Sequence, residues 1–126
     1  MRPKSLADVA RLTIKGGSFD LGFADFLDEF YRSPNDAALQ DAPPLLAEHD
    51  PENGRIEDAY LAAAAEELAR KYALSVPNWT AGESRVLHQP WFASSMAALR
   101  AVLILESPPS FRARNLFVSE NALSRA

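Results

Sequence analysis

Apolar positions recur at helical intervals along most of this chain. The clearest case is Asp20–Arg32, where Phe23, Phe26, Leu27 and Phe30 fall at i, i+3, i+4 and i+7 and predict one buried stripe of an α-helix. Asp25, Asp28 and Glu29 lie between them and face water or a partner. Ahead of it, Ser5 has capping-box-like spacing to Asp8, and Gly16-Gly17 follow Leu6–Lys15, which marks a short helix with a start and a stop. Pro34 ends the second helix, because the residue before proline is pushed out of helical geometry. One further helical turn is expected within Pro34–Leu39, and Pro43-Pro44 block continuation.

Asp50–Gly54 reads as a turn by composition, followed by the longest helix, about Arg55 to Leu74. Its stripe is Ile56, Tyr60, Ala64, Leu68 and Tyr72, and the Ala62–Ala65 run allows a neighbouring helix to approach closely. Beyond it the period is lost. Val76–Trp79 is expected to be extended and Ala81–Ser84 to turn. A helix capped by Ser94 or Ser95 then runs to about Glu106, with Met96, Leu99, Val102, Leu103 and Leu105 inward. Ser107-Pro108 signals the start of a short helix around Pro109–Arg114, with Asn115 as a left-handed end. Leu116–Val118 is read as extended and Ser119 as the cap of a last turn over Glu120–Arg125. Period-2 alternation with regularly spaced turns is absent. The expected fold is all-α: a compact single-domain bundle of five or six helices over 1–126. An acidic helical part (1–75) is joined to an irregular part rich in proline and aromatic residues (76–126).

Composition adds few constraints. The 126 residues are 48% hydrophobic and 24% charged, within the range of one globular domain. With no cysteine, disulfides, thiol nucleophiles and cysteine-held metal centres are excluded. No apolar run is long enough to span a bilayer, and Asp8 and Arg11 interrupt any secretory signal, so a cytoplasmic location is expected. The net charge of −4 is unevenly spread: Asp20–Glu67 holds 13 acids against Arg32 and Arg55, whereas Val76 onward holds five arginines against three glutamates. Solvated helix faces account for such a belt, and so does an acidic surface, including Glu57 and Asp58, offered to a basic partner.

The residues of common catalytic sites are missing. His49 and His88 sit in no recognisable nucleophile–base context, the metal spacing of H-E-x-x-H is absent, and Gly16-Gly17 lacks the rest of a phosphate loop. No enzyme, cofactor or metal assignment follows. Arg112 and Arg114 beside Asn115 invite a DNA-binding reading, with phosphate contact from a short helix, against which stands a pI near 5.1. The bland alternative is that these arginines hold the C-terminal segment by ion pairs. Trp79, Trp91, Phe92, Phe111 and Phe117 are either cement between loops and core or, at Trp91-Phe92, an exposed binding patch.

The C-terminal third carries an ordered signature: Val76-Pro77-Asn78-Trp79, Pro90-Trp91-Phe92, Leu99-Arg100, Glu106-Ser107-Pro108, and Phe111 through Ser119. Over these roughly 50 residues the chain resembles a group of small helical bacterial proteins encoded beside nucleotidyltransferase-like genes, in pairs that look like toxin–antitoxin modules. The resemblance implies an antitoxin-like, non-catalytic protein whose partner is a cognate nucleotidyltransferase-type toxin. Asp25, Asp28, Glu29, Glu57, Asp58, Trp79, Trp91, Phe92, Arg112 and Arg114 are the candidate contact residues, and nucleic acid is the secondary candidate partner.

Overall fold

The computed structural model describes residues 2–125. Six helices lie in these residues: α1 (Leu6–Ile14), α2 (Phe19–Arg32), α3 (Ala37–Gln40), α4 (Pro51–Lys71), α5 (Ala97–Glu106) and α6 (Pro109–Arg112). Two two-residue strands, β1 (Trp91–Phe92) and β2 (Leu116–Phe117), pair in parallel, Trp91 opposite Leu116 and Phe92 opposite Phe117. The all-α expectation holds.

The first two helices form as their sequence signals predict. The Ser5 hydroxyl accepts from the Asp8 amide at 3.1 Å, and Gly16, just past the end of α1, takes φ +102°, a conformation that favours glycine. Ser18 caps α2 from outside the predicted span, accepting from the Leu21 amide at 3.2 Å. Phe23, Phe26, Leu27 and Phe30 are all buried. Their rings run onto α4 as a continuous aromatic ladder: Phe23 meets Tyr60 edge-on at 5.3 Å, Phe30 meets Tyr72 at 5.6 Å, and Tyr60 meets Phe111 of α6 at 5.0 Å.

Helix α4 is the axis of the molecule. Four consecutive alanines, Ala62–Ala65, are completely buried, so neighbours surround the helix on every side there. One core draws on both parts of the chain, joining Phe26, Phe30 and Leu68 to Leu87, Phe111, Leu116 and Val118. The start of α4 corrects the sequence reading. Asp50–Gly54 is not a separate turn. Asp50 is the N-cap, accepting from the Asn53 amide at 3.3 Å, and Pro51 occupies the first turn, where its missing N–H costs nothing. Gly54, read as a breaker, lies inside the helix because the Leu46–Ala47 backbone presses against it. A Cβ there would come within 2.4 Å of the Leu46 carbonyl carbon. Leu46 opens a short 3₁₀ turn, Leu46–Glu48, braced against the first turns of α4.

That brace is held by a buried charge. Asp58 of α4 is fully buried, and its carboxylate accepts from the Leu46 amide at 2.7 Å and the Ala47 amide at 3.1 Å. Arg85, also buried, places Nη1 3.7 Å from the same carboxylate and donates from Nη2 to the Pro43 carbonyl at 2.6 Å. Its guanidinium lies 4.8 Å from the Trp79 ring, whose indole N–H donates to the Leu39 carbonyl at 2.9 Å. Burial raises the Asp58 carboxyl above its ordinary pKa, partly offset by the two amides and by Arg85.

Helix α5 departs from expectation in its packing and in its cap. It spans nearly the predicted residues, but only Leu103 of its supposed inward set is buried. Neither Ser94 nor Ser95 caps it. Met96 holds the cap position without a side-chain bond, and the hydroxyl of Ser94, two residues before it, accepts from the Met96 amide. Ser107 is likewise not the cap of α6, a position taken by Pro108. Its hydroxyl lies 2.6 Å from the Leu103 carbonyl and accepts from the Val118 amide at 2.8 Å, so it ties the end of α5 to the chain leaving β2. Asn115 does take the left-handed conformation, φ 63°. The Glu120–Arg125 segment forms turns, without a helix.

Phe26→Ala removes a fully buried ring, with an expected cost of about 3–5 kcal/mol in urea denaturation. Asp58→Ala leaves Arg85 and two amides buried without their acceptor, for an expected loss of about 3–5 kcal/mol by the same measurement.

Candidate partner-binding surface

The candidate contact residues separate into three groups in space. Asp58, Trp79 and Arg114 belong to the interior bracing. Arg114 is buried and donates to Glu66 Oε1 at 2.7 Å, to the Ser110 carbonyl at 2.8 Å and to the Thr80 carbonyl at 3.0 Å; its Nε has no partner among the described residues. Burial pushes the Glu66 carboxyl up, but Arg70 and Arg114 more than offset this and hold it below its usual range. These three residues are therefore corrected from partner contacts to fold-holding groups, and the ion-pair reading of Arg114 is the one the structure carries. The sequence named none of their partners, since Arg85, Glu66 and Thr80 lie between 6 and 48 positions away. Arg112 is exposed at the end of the four-residue α6.

Asp25, Asp28 and Glu29 form a half-buried acidic row on α2 that is already partly neutralised. Arg2 reaches Asp25 at 3.3 Å, Asp28 at 3.2 Å and Glu29 at 3.6 Å, and Arg125 Nε binds Asp28 at 2.9 Å. Arg125 holds the Asp28 carboxyl below its ordinary pKa. The N- and C-terminal segments are thus clasped to one helix. Pairs this exposed contribute little to stability.

Glu57, Trp91 and Phe92 sit around the β-pair. Phe92 stacks on Phe117 at 5.0 Å with the Arg100 guanidinium 5.2 Å over its ring. Trp91 is half-buried and, with Phe19, Phe23 and Tyr60, lines a cleft of about 510 Å³ between α2, α4 and the C-terminal segment. Asp20 and Glu57 are the acids of its lining. Burial pushes the Glu57 carboxyl up to about 6, with Asp50, Asp20 and Asp58 adding repulsion. His49 and His88 are both exposed, and among the described residues no group of three metal-ligating side chains converges.

Most of the exposed large apolar side chains lie in or next to α5, where the sequence reading had assigned an inward face. On α5, Leu105 is 81% exposed, Met96 61%, Val102 and Ile104 43%, against 8% for Leu103. Ala98, Ala101, Val102 and Leu105 fall at i, i+3, i+4 and i+7, a continuous outward stripe, and all four are exposed. The two charges of the segment are drawn toward the body: Arg100 stacks on Phe92, and Glu106 accepts from the Glu120 amide. A helix apolar on every face is ordinarily buried, and here Leu103 is its one buried residue. Periodicity could not reveal this, because a helix apolar on all sides has no preferred inward face.

Compared with known protein families, curated proteins and solved structures, the chain matches none. No helix among the described residues is long and apolar enough to cross a membrane.

A carboxyl whose pKa rises on folding stabilises the fold below its unfolded value near 4.5, and that contribution is lost as pH rises to about 6. Glu57→Gln is therefore expected to raise stability at pH 7 by about 1 kcal/mol, allowing for solvent screening, and to change it little at pH 4. Urea midpoints at the two pH values check this.

Proposed function

We propose that the chain is a non-catalytic protein-binding module that docks through the outward face of α5. The single observation that carries this reading is the uncharged stripe Ala98–Ala101–Val102–Leu105 standing in water. An apolar helix face of this kind seats in a hydrophobic groove of another protein, read through anchors at i, i+3, i+4 and i+7. The two alanines let a partner's backbone come close, and Leu105 is the largest anchor.

The occupant is a different protein with basic residues around its groove. Asp20, Asp36, Glu48, Asp50, Glu52, Glu57 and Glu67 take part in no ion pair among the described residues, and the chain carries −4 overall. A basic partner is drawn to such a surface, whereas a second copy is repelled. The resemblance of the C-terminal third to antitoxin-like proteins supplies the partner's class: a cognate nucleotidyltransferase-type toxin, which must hold nucleotide phosphates and so presents basic rims. Docking there neutralises the enzyme by covering it.

Co-expression with the neighbouring gene product, followed by size-exclusion chromatography at micromolar concentration, tests this. One joint peak is expected, lost in Leu105→Glu with the melting temperature unchanged within about 2 °C, because the side chain is exposed. Separate wild-type peaks sink the proposal. A chain that alone elutes as a dimer, and as a monomer after Leu105→Glu, assigns the face to a second copy and overturns the partner reading.

A further inference from the structure

The geometry points to a second site: the cleft between α2, α4 and the C-terminal segment binds a small organic ammonium carried on an apolar or aromatic body. This does not rest on the docking role of α5, and its residues are different ones.

Three observations carry it. The first is size and lining. At about 510 Å³ the cleft has the volume of an ordinary small-molecule site, and the rings of Phe19, Phe23, Tyr60 and Trp91 line it. Aromatic faces attract cations as well as apolar groups. The second is charge. Asp20 and Glu57 enter the lining, and neither has an ion-pair partner among the described residues; the one cation of the lining, Arg125, is bound to Asp28. A cationic head placed between the two free carboxylates is the complement this leaves.

The third is that Glu57 is held where it disfavours the fold. It sits half-buried on α4, within Coulombic reach of Asp50 at the helix cap, Asp20 of α2 and its chain neighbour Asp58, and it takes part in no ion pair among the described residues. An amide or an apolar residue would suit the folded chain better. Groups that cost stability and satisfy nothing within the fold concentrate at functional sites. A bound ammonium relieves both the desolvation and the mutual repulsion of these acids. Tyr60 adds a phenol whose burial raises its pKa to about 12, so it stays neutral and able to donate or accept a hydrogen bond at the wall.

Three probes sharing one body separate the terms: 4-phenylbutylamine, 4-phenylbutanol and 4-phenylbutyrate, titrated at pH 7.5 into the isotopically labelled full chain and followed by amide and indole NMR shifts. The amine is expected to move the Trp91 indole and the Asn53 and Glu57 amides, and to bind at least tenfold more tightly than the alcohol. The butyrate should bind most weakly. Glu57→Gln should lower amine affinity about tenfold while leaving the alcohol unchanged, and it does so in a protein no less stable than wild type. Lowering the pH to 5 should weaken the amine in the same sense, as Glu57 takes up its proton beside Asp20, Asp50, Asp58 and Arg125. Equal binding of the three probes, shifts centred elsewhere, or no saturation by 10 mM would overturn the assignment. A Glu57→Gln chain that binds the amine as wild type does would remove Glu57 from it.

Discussion

The carboxylate of Asp58 is the constraint on which the arrangement turns. A charge taken wholly out of water is tolerated only where donors surround it, and here two consecutive backbone amides and one guanidinium do so. The donors come from two stretches outside the long helices, one on each side of α4 in the chain. The Leu46–Ala47 amides bring in the connection after α3, which lies so close to α4 that only Gly54 fits beneath it. Arg85 brings in the segment after α4 and, through Pro43 and Trp79, fastens it to the connection before. Thus the proline-rich stretches, which have no ladder of their own, are held by bonds to one helix.

Glu66 repeats the device two turns further along α4. It receives Arg114, which in turn gathers the carbonyls of Ser110 and Thr80. With both charges satisfied inside, the rest of α4 needs only small side chains. The four buried alanines let α6 and the looped segments pack around it, and the aromatic ladder from Phe23 through Tyr60 to Phe111 fills the space between α2, α4 and α6.

Among the described residues the Arg114 Nε is the one buried side-chain polar atom of this interior without a partner, and two further places stand apart at the surface. Helix α5 shows water an apolar face with its charges turned away, and Glu57 keeps an unpaired carboxylate in an aromatic wall. Local choices that disagree with the fold concentrate where a protein meets something else. The two sites differ in character. One is a convex, uncharged stripe suited to another protein's groove, and the other is a concave, acidic cleft suited to a small cation.

The sequence alone determined the all-α class, the cap of α1, the buried face of α2, the central helix and the left-handed Asn115, because each follows from contacts within a few residues: 3.6-residue periodicity, side-chain caps and the φ preferences of glycine, proline and asparagine. It misplaced the start of α4, since Asp50–Gly54 reads as a turn until Asp50 is seen as the cap ahead of Pro51 and Leu46 is seen against Gly54. It could not separate Asp58, Trp79 and Arg114, which hold the fold, from Glu57, Trp91 and Arg112, which reach the surface or the cleft. Ionic partners far apart in the chain leave no periodic trace. Nor could it tell that the most apolar helix faces outward. Hydrophobicity states that a segment avoids water, and only the packing of all other segments decides whether this chain supplies the cover.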